Sequence, residues 1–105
     1  MGYTLGRRVQ GVTTPTGFQI NPNVRFRLIE GEAVVLRQEE GEVLVLNEVA
    51  SRILWLASEQ TPRTEIVRRL FEEFEVDESR LTHDVTSFLE EMSLEGILLE
   101  LEGEG

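Results

Sequence analysis

The 105 residues include no cysteine and no lysine, and a single histidine, His83. Without cysteine there can be no disulfide, no thiolate nucleophile and no cysteine-ligated zinc. One histidine is too few for a two-histidine metal site or for a Ser/His/Asp triad with a spare base. His83 stands one residue before Asp84 near the start of a predicted helix and reads as a partly exposed surface residue, not a catalytic one. The longest apolar stretches are Ala33–Leu36, Val43–Leu46 and Ile53–Ala57. All are far short of the roughly 20 residues a membrane helix needs. The N-terminus carries no apolar stretch of signal-peptide length, so a soluble, cytoplasmic chain with no membrane partner is expected. The glycines spell neither the dinucleotide fingerprint nor a phosphate loop. Glu39/Glu40, Glu72/Glu73 and Glu90/Glu91 are neighbouring carboxylates. Adjacent helical positions point about 100° apart, which makes such pairs solvated surface and not acid/base couples. No enzyme is expected, and no metal or other cofactor.

The length fits one domain of ordinary globular composition, 40% hydrophobic and 29% charged. A chain this short buries only about 60–65% of its unfolded surface, which leaves one core and little room for a deep cavity. Its charge is unevenly placed. Twenty acids oppose ten arginines for a net −10. Residues 1–52 hold six acids and six arginines; residues 53–105 hold fourteen acids and four arginines. A phosphate-binding surface needs the opposite sign, so no nucleic-acid partner is expected and a basic partner is favoured.

Residues 1–23 read as an arm that could be flexible, with Gly2, Gly6, Gly11, Gly17, Pro15 and Pro22 and no acid. Tyr3, Leu5, Val9 and Val12 give it something to dock with. From Val24 the pattern is regular. Val24, Phe26 and Leu28 alternate with Arg25 and Arg27, the period of a half-buried strand. Glu30-Gly31 signals a turn into a second strand over Ala33–Arg37, and Glu39-Glu40-Gly41 another into Val43–Leu46. Asn47 can cap a first helix carrying Ala50, Ile53, Leu54 and Ala57. Thr61-Pro62 starts a second with Ile66, Val67, Leu70, Phe71 and Phe74 on one side. Asp77 or Ser79 starts a third, striped by Leu81, Val85, Phe88, Leu89 and Met92 and ended by Gly96. Ile97–Leu101 can form a last extended piece, and residues 102–105 read as a frayed tail.

Three strands followed by three helices make an α+β domain over residues 24–101: a three-stranded antiparallel sheet covered by helices, winged helix-turn-helix-like. An open sheet has two edges with unpaired N–H and C=O groups. An edge beside a helix makes a groove where an extended peptide can add as a further strand. Val43–Leu46 is apolar on both parities. Either one face is buried and the other left for a neighbour, or both are buried. Trp55 sits off the first helix's apolar stripe and reads as a core or rim aromatic. On the third helix Phe88 lies toward Asp84 and Glu91, and Leu89 toward Thr82, Thr86 and Ser93. Periodicity does not say which flank faces a groove.

These segments resemble the PqqD family. Val43-Leu-Val-Leu-Asn-Glu-Val-Ala-Ser-Arg-Ile-Leu-Trp-Leu56 is similar to that family's strand-to-helix junction. Thr64–Phe71 is similar too, as is Asp84-Val-Thr-Ser-Phe-Leu-Glu-Glu-Met92 with Glu95-Gly-Ile-Leu98, which resembles its ending. The likeness spans about residues 24–100. It implies a non-catalytic peptide chaperone, a recognition element of pathways that modify ribosomally synthesised peptides (RiPPs). Such domains bind the leader of a precursor peptide and present it to a modifying enzyme: a radical S-adenosylmethionine protein in the namesake pathway, a leader peptidase in lasso-peptide pathways. The resemblance implies that the leader adds to the edge of the third strand and packs on the third helix. Val43, Leu44, Val45 and Leu46 would then supply main-chain hydrogen bonds, and Asp84, Val85, Phe88, Glu91 and Met92 would line the groove. Asp84 and Glu91 would meet a basic leader residue. Arg25 and Arg27 are candidates for enzyme contact or plain solubility. Where namesake members tend to carry a Pro-Glu pair this chain has Arg37-Gln-Glu-Glu-Gly-Glu42, which fits another peptide pathway as well as or better than quinone-cofactor synthesis. Two other readings stand beside this one. The open edge could pair with a second copy in a homodimeric assembly module, or a winged helix could bind nucleic acid, which the acidic third helix opposes. The arm could also fill the groove itself.

Overall fold

The computed structural model describes residues 17–101. Their elements are β1 (Gly17–Ile20), β2 (Val24–Ile29), β3 (Glu32–Arg37), β4 (Glu42–Val45), α1 (Glu48–Ser58), α2 (Arg63–Glu73), α3 (Glu78–Leu94) and β5 (Leu98–Leu101). The expected α+β order is present, with β2, β3 and β4 forming an antiparallel meander in that spatial order. Its register pairs Phe26 with Val35 and Val35 with Leu44. That row and the neighbouring Val24, Ala33 and Leu46 face the helices, because side chains alternate along a strand. The turns are set by backbone sign. Glu30 and Gly31 both have positive φ, 53° and 85°, the mirror-image two-residue turn whose twist suits a tight hairpin.

The sheet is not the whole of the β structure. Residues 17–20, within the stretch read as an arm, form a strand that pairs antiparallel with β5, Gly17 opposite Leu101 and Ile20 opposite Leu98. Phe18 is buried in the common core with Ile97 and Leu98. Gly17 permits a close approach: a Cβ there would stand 2.8 Å from the Gln60 carbonyl oxygen. Asn21 fastens this second sheet to the end of α3, its N–H donating to Ile97 O at 2.9 Å and its Nδ2 to Gly96 O at 2.8 Å. The other arm residues, Tyr3, Leu5, Val9 and Val12 among them, and the tail at 102–105 lie outside the described residues.

The helices begin where capping chemistry allows. Asn47 accepts the Ala50 N–H at 2.8 Å and Asp77 accepts the Arg80 N–H at 3.1 Å. Pro62 occupies the cap of α2, one position before the first helical residue and not at it. The reason lies in α1: the Thr61 N–H still donates to Leu56 O at 3.2 Å, so the chain turns one residue later. Gly96, with φ 77°, ends α3 as the sequence predicts. The core gathers Val35 from the sheet, Leu54 and Leu56 from α1, Ile66 and Leu70 from α2, and Val85 from α3, all essentially without exposure. Burying each such side chain contributes about 1.5–3 kcal/mol.

Candidate functional site

β4 is an edge strand, paired with β3 on one side only among the described residues. The Leu46 N–H donates to Ala33 O at 2.9 Å, which fixes the alternation of the ladder. Leu44 and the Leu46 N–H turn toward β3, with the Leu46 carbonyl taken by Ser51, so Val43 and Val45 turn their main-chain groups toward the open edge. Of the four residues expected to offer main-chain bonds, the geometry therefore exposes the groups of Val43 and Val45 alone. Their side chains are exposed too, at 59% and 64%. The alternative in which both faces of this strand are buried does not hold. Leu44 and Leu46 point inward and pack against the core.

Arg37 ties the start of β4 to the end of α3. The last residue of β3, it reaches three ways. It donates to Glu42 Oε1 at 2.6 Å, to Glu95 Oε1 at 3.1 Å and to the Glu95 carbonyl at 2.6 Å, with Glu40 at 3.4 Å. The Glu42 hydrogen bond above all holds the guanidinium pKa above its ordinary value. Beyond the end of β4, a cavity of about 400 Å³ opens between α1 and α3, with Asn47, Val49 and Ile53 on one side and Arg80, Asp84 and Phe88 on the other. Its floor is apolar, and at its rim Arg80 faces Asp84 at 3.8 Å.

The predicted α3 residues divide into two sets. Asp84, Phe88 and Glu91 fall within about 60° on the helical wheel. Asp84 and Phe88 line the cavity, and Glu91 is exposed with no ion-pair partner among the described residues. Val85 and Met92 belong to the buried stripe with Leu81 and Leu89, so they back the groove wall without being open to a ligand. The opposite flank, with Thr86 and Leu89, faces a different hollow beside Phe18, Pro62 and Glu100. Sequence reasoning missed Arg37, Ser51, Val49 and Arg80. Arg37 had a signal: it is the one charge on the inward parity of a strand otherwise showing Ala33 and Val35 there. Ser51 is likewise the polar residue inside an apolar helical stripe. It accepts the Ala33 N–H at 2.6 Å and donates to Leu46 O at 3.2 Å, bridging the end of the β3–β4 ladder.

Among the described residues no three His, Cys, Asp or Glu side chains are gathered to hold a metal, and no helix is long and apolar enough to cross a membrane. What the arrangement offers is an open strand edge, an apolar hollow between α1 and α3 that starts at Asn47 just past that strand, and uncompensated negative charge on α3 at Glu91.

Comparison with curated proteins finds no match. Among solved structures the chain is similar to TbiB1, determined in complex with the TbiA(beta) leader peptide. The two share 30% identity with a TM-score of 0.71, over 76% of this chain and 93% of that one. It shares its fold with a lasso peptide synthetase B1 complexed with the leader peptide, at 21% identity and a TM-score of 0.71, over 78% of this chain and 96% of that one. The family model of coenzyme PQQ synthesis protein D (PqqD) matches residues 32–98, from the start of β3 to the first residue of β5. With β3, β4, all three helices and the groove between them inside that match, the chain belongs to the PqqD family.

Proposed function

We propose that this chain is a non-catalytic peptide chaperone. It binds the leader of a ribosomally synthesised precursor peptide as a fourth strand on the free edge of β4, in the cytoplasm, and presents it to a modifying enzyme or leader peptidase. The observation that carries the proposal is the pair of unspent N–H and C=O groups at Val43 and Val45, on a strand that leads at Asn47 into the hollow that Asp84 and Phe88 line. TbiB1, 30% identical, was solved with a leader peptide bound. In this reading Val43 and Val45 give the main-chain bonds, while Leu44 and Leu46 form the groove floor. Phe88 takes an apolar anchor with Val85 and Met92 behind it, and Asp84 and Glu91 meet a basic leader residue. We read β2–β4 with α1–α3 as winged helix-turn-helix-like. Nucleic acid is not the partner, because α3 exposes Glu90 and Glu91 where a reading helix needs cations.

The test is calorimetric. The purified protein is titrated with the synthetic leader half of the precursor peptide encoded beside its gene, and with the core half as control. One-to-one binding of the leader half alone, at micromolar affinity or better, is expected. No heat with the leader half, or equal binding of both halves, overturns the reading. Val45→Pro, which removes an outward N–H, should weaken binding about 5- to 10-fold. Sedimentation of the free protein tests the competing use of the same edge, pairing with a second copy.

A further inference from the structure

The sheet has a second face. Side chains pointing away from the helices form two rows across the three strands, Arg25–Leu36–Val43 and Arg27–Val34–Val45. Each row ends in an exposed valine at the open edge. Edges are ordinarily protected by charge or proline, which discourage pairing. An apolar pair there is the reverse. No core contact requires it either, since the inward residues Leu44 and Leu46 supply this strand's packing.

We propose, building on the leader-binding reading above, that the outward side chains of Val43 and Val45 select the leader. The segment bound carries apolar residues, β-branched or aromatic, at two positions two apart. These are of opposite parity to the residues that enter the groove beside α3. An added strand lies about 4.8 Å from β4 and alternates its side chains, so each row gains a fourth member. Side chains directly opposite one another then stand about 4.5–5.5 Å apart at Cβ, close enough to pair. Arg25 and Arg27, three strand spacings or roughly 14 Å from the added strand, leave the outward leader residues facing valine alone. A charged residue at either position meets no partner. The leader is thus apolar on both faces where it crosses β4, unlike a strand with one solvated face.

Val43→Thr and Val45→Thr keep the shape, the strand preference and the main-chain groups. Against the synthetic leader half, the double variant is expected to bind about 3- to 10-fold more weakly than the unmodified protein. Val34→Thr, one strand inward on the same face, should stay within about twofold. An alanine scan of the leader should find sensitive positions on both parities. Unchanged affinity in the double variant, or sensitivity confined to one parity, overturns the proposal while leader binding itself stands. Failure of the unmodified protein to bind the leader half overturns both.

Discussion

Ser51 shows how much one hydroxyl can hold. It is 1% exposed, and it replaces half of a reciprocal hydrogen-bonded pair: Leu46 N–H reaches Ala33 O directly, while Ala33 N–H reaches Leu46 O only through Ser51. Ser51→Ala would leave a buried donor and an acceptor unpaired, at a cost of about 1–3 kcal/mol. Urea unfolding should read that loss, and amide exchange at Ala33 should quicken. A second residue carries strain of the opposite kind. Glu30 holds a φ of 53° that suits glycine or asparagine. Glu30→Asn is expected to stabilise the hairpin by up to about 1 kcal/mol without altering the β2–β3 register; an unchanged urea midpoint would contradict this.

Among the elements, the spacing of β4 and α3 depends on Arg37. Arg37→Met keeps the stem and removes the fork that joins Glu42 to Glu95, so leader binding should weaken and the melting temperature fall. The helices are tied differently. Arg52 donates twice to Glu73 at 2.8 Å, linking α1 to α2, and Glu65 accepts from Arg68 and Arg69 within α2. The hydrogen bond from Arg68, then that from Arg69, holds the Glu65 carboxyl at about 2, and Arg52 lowers Glu73. A folded-state pKa below the unfolded value means the unfolded chain binds protons first on acidification. Both contributions are therefore complete above the ordinary carboxylate range and are lost on acidification, that of Glu65 as pH falls toward about 2. Stability measured from pH 6 downward should decline through that interval, and Glu73→Gln should flatten part of the decline. The three strands of the meander and the three helices were legible because each is a local pattern, alternation or a stripe with a cap. β1 was not. It is four residues long, starts on a glycine, has a proline two positions off each end, and its partner lies at the far end of the chain. The groove was legible as a strand and a helix but not as a list of side chains. Asp84, Phe88 and Val85, Met92 are separated by a rotation of the helix that only the packing of α3 fixes.

For the whole molecule, a net charge of −10 acts beyond any single contact. Glu91 is free of ion pairs among the described residues, and a basic leader would be drawn toward it and Asp84 at long range. At 0.15 M salt that attraction is screened within about 8 Å, so the association rate should fall with ionic strength while dissociation changes little. Stopped-flow measurements at two salt concentrations test this. The pairing of Gly17 with Leu101 has a different consequence. Facing residues of an antiparallel pair stand about 5 Å apart at Cα, so the described residues begin and end at one spot. That spot adjoins the Thr86 and Leu89 flank of α3, turned away from the β4 edge. With its two described ends side by side, the unit is suited to circular permutation, with new ends between α2 and α3, or to grafting into a surface loop of a host enzyme. Either way the edge of β4 would stay clear to receive its strand.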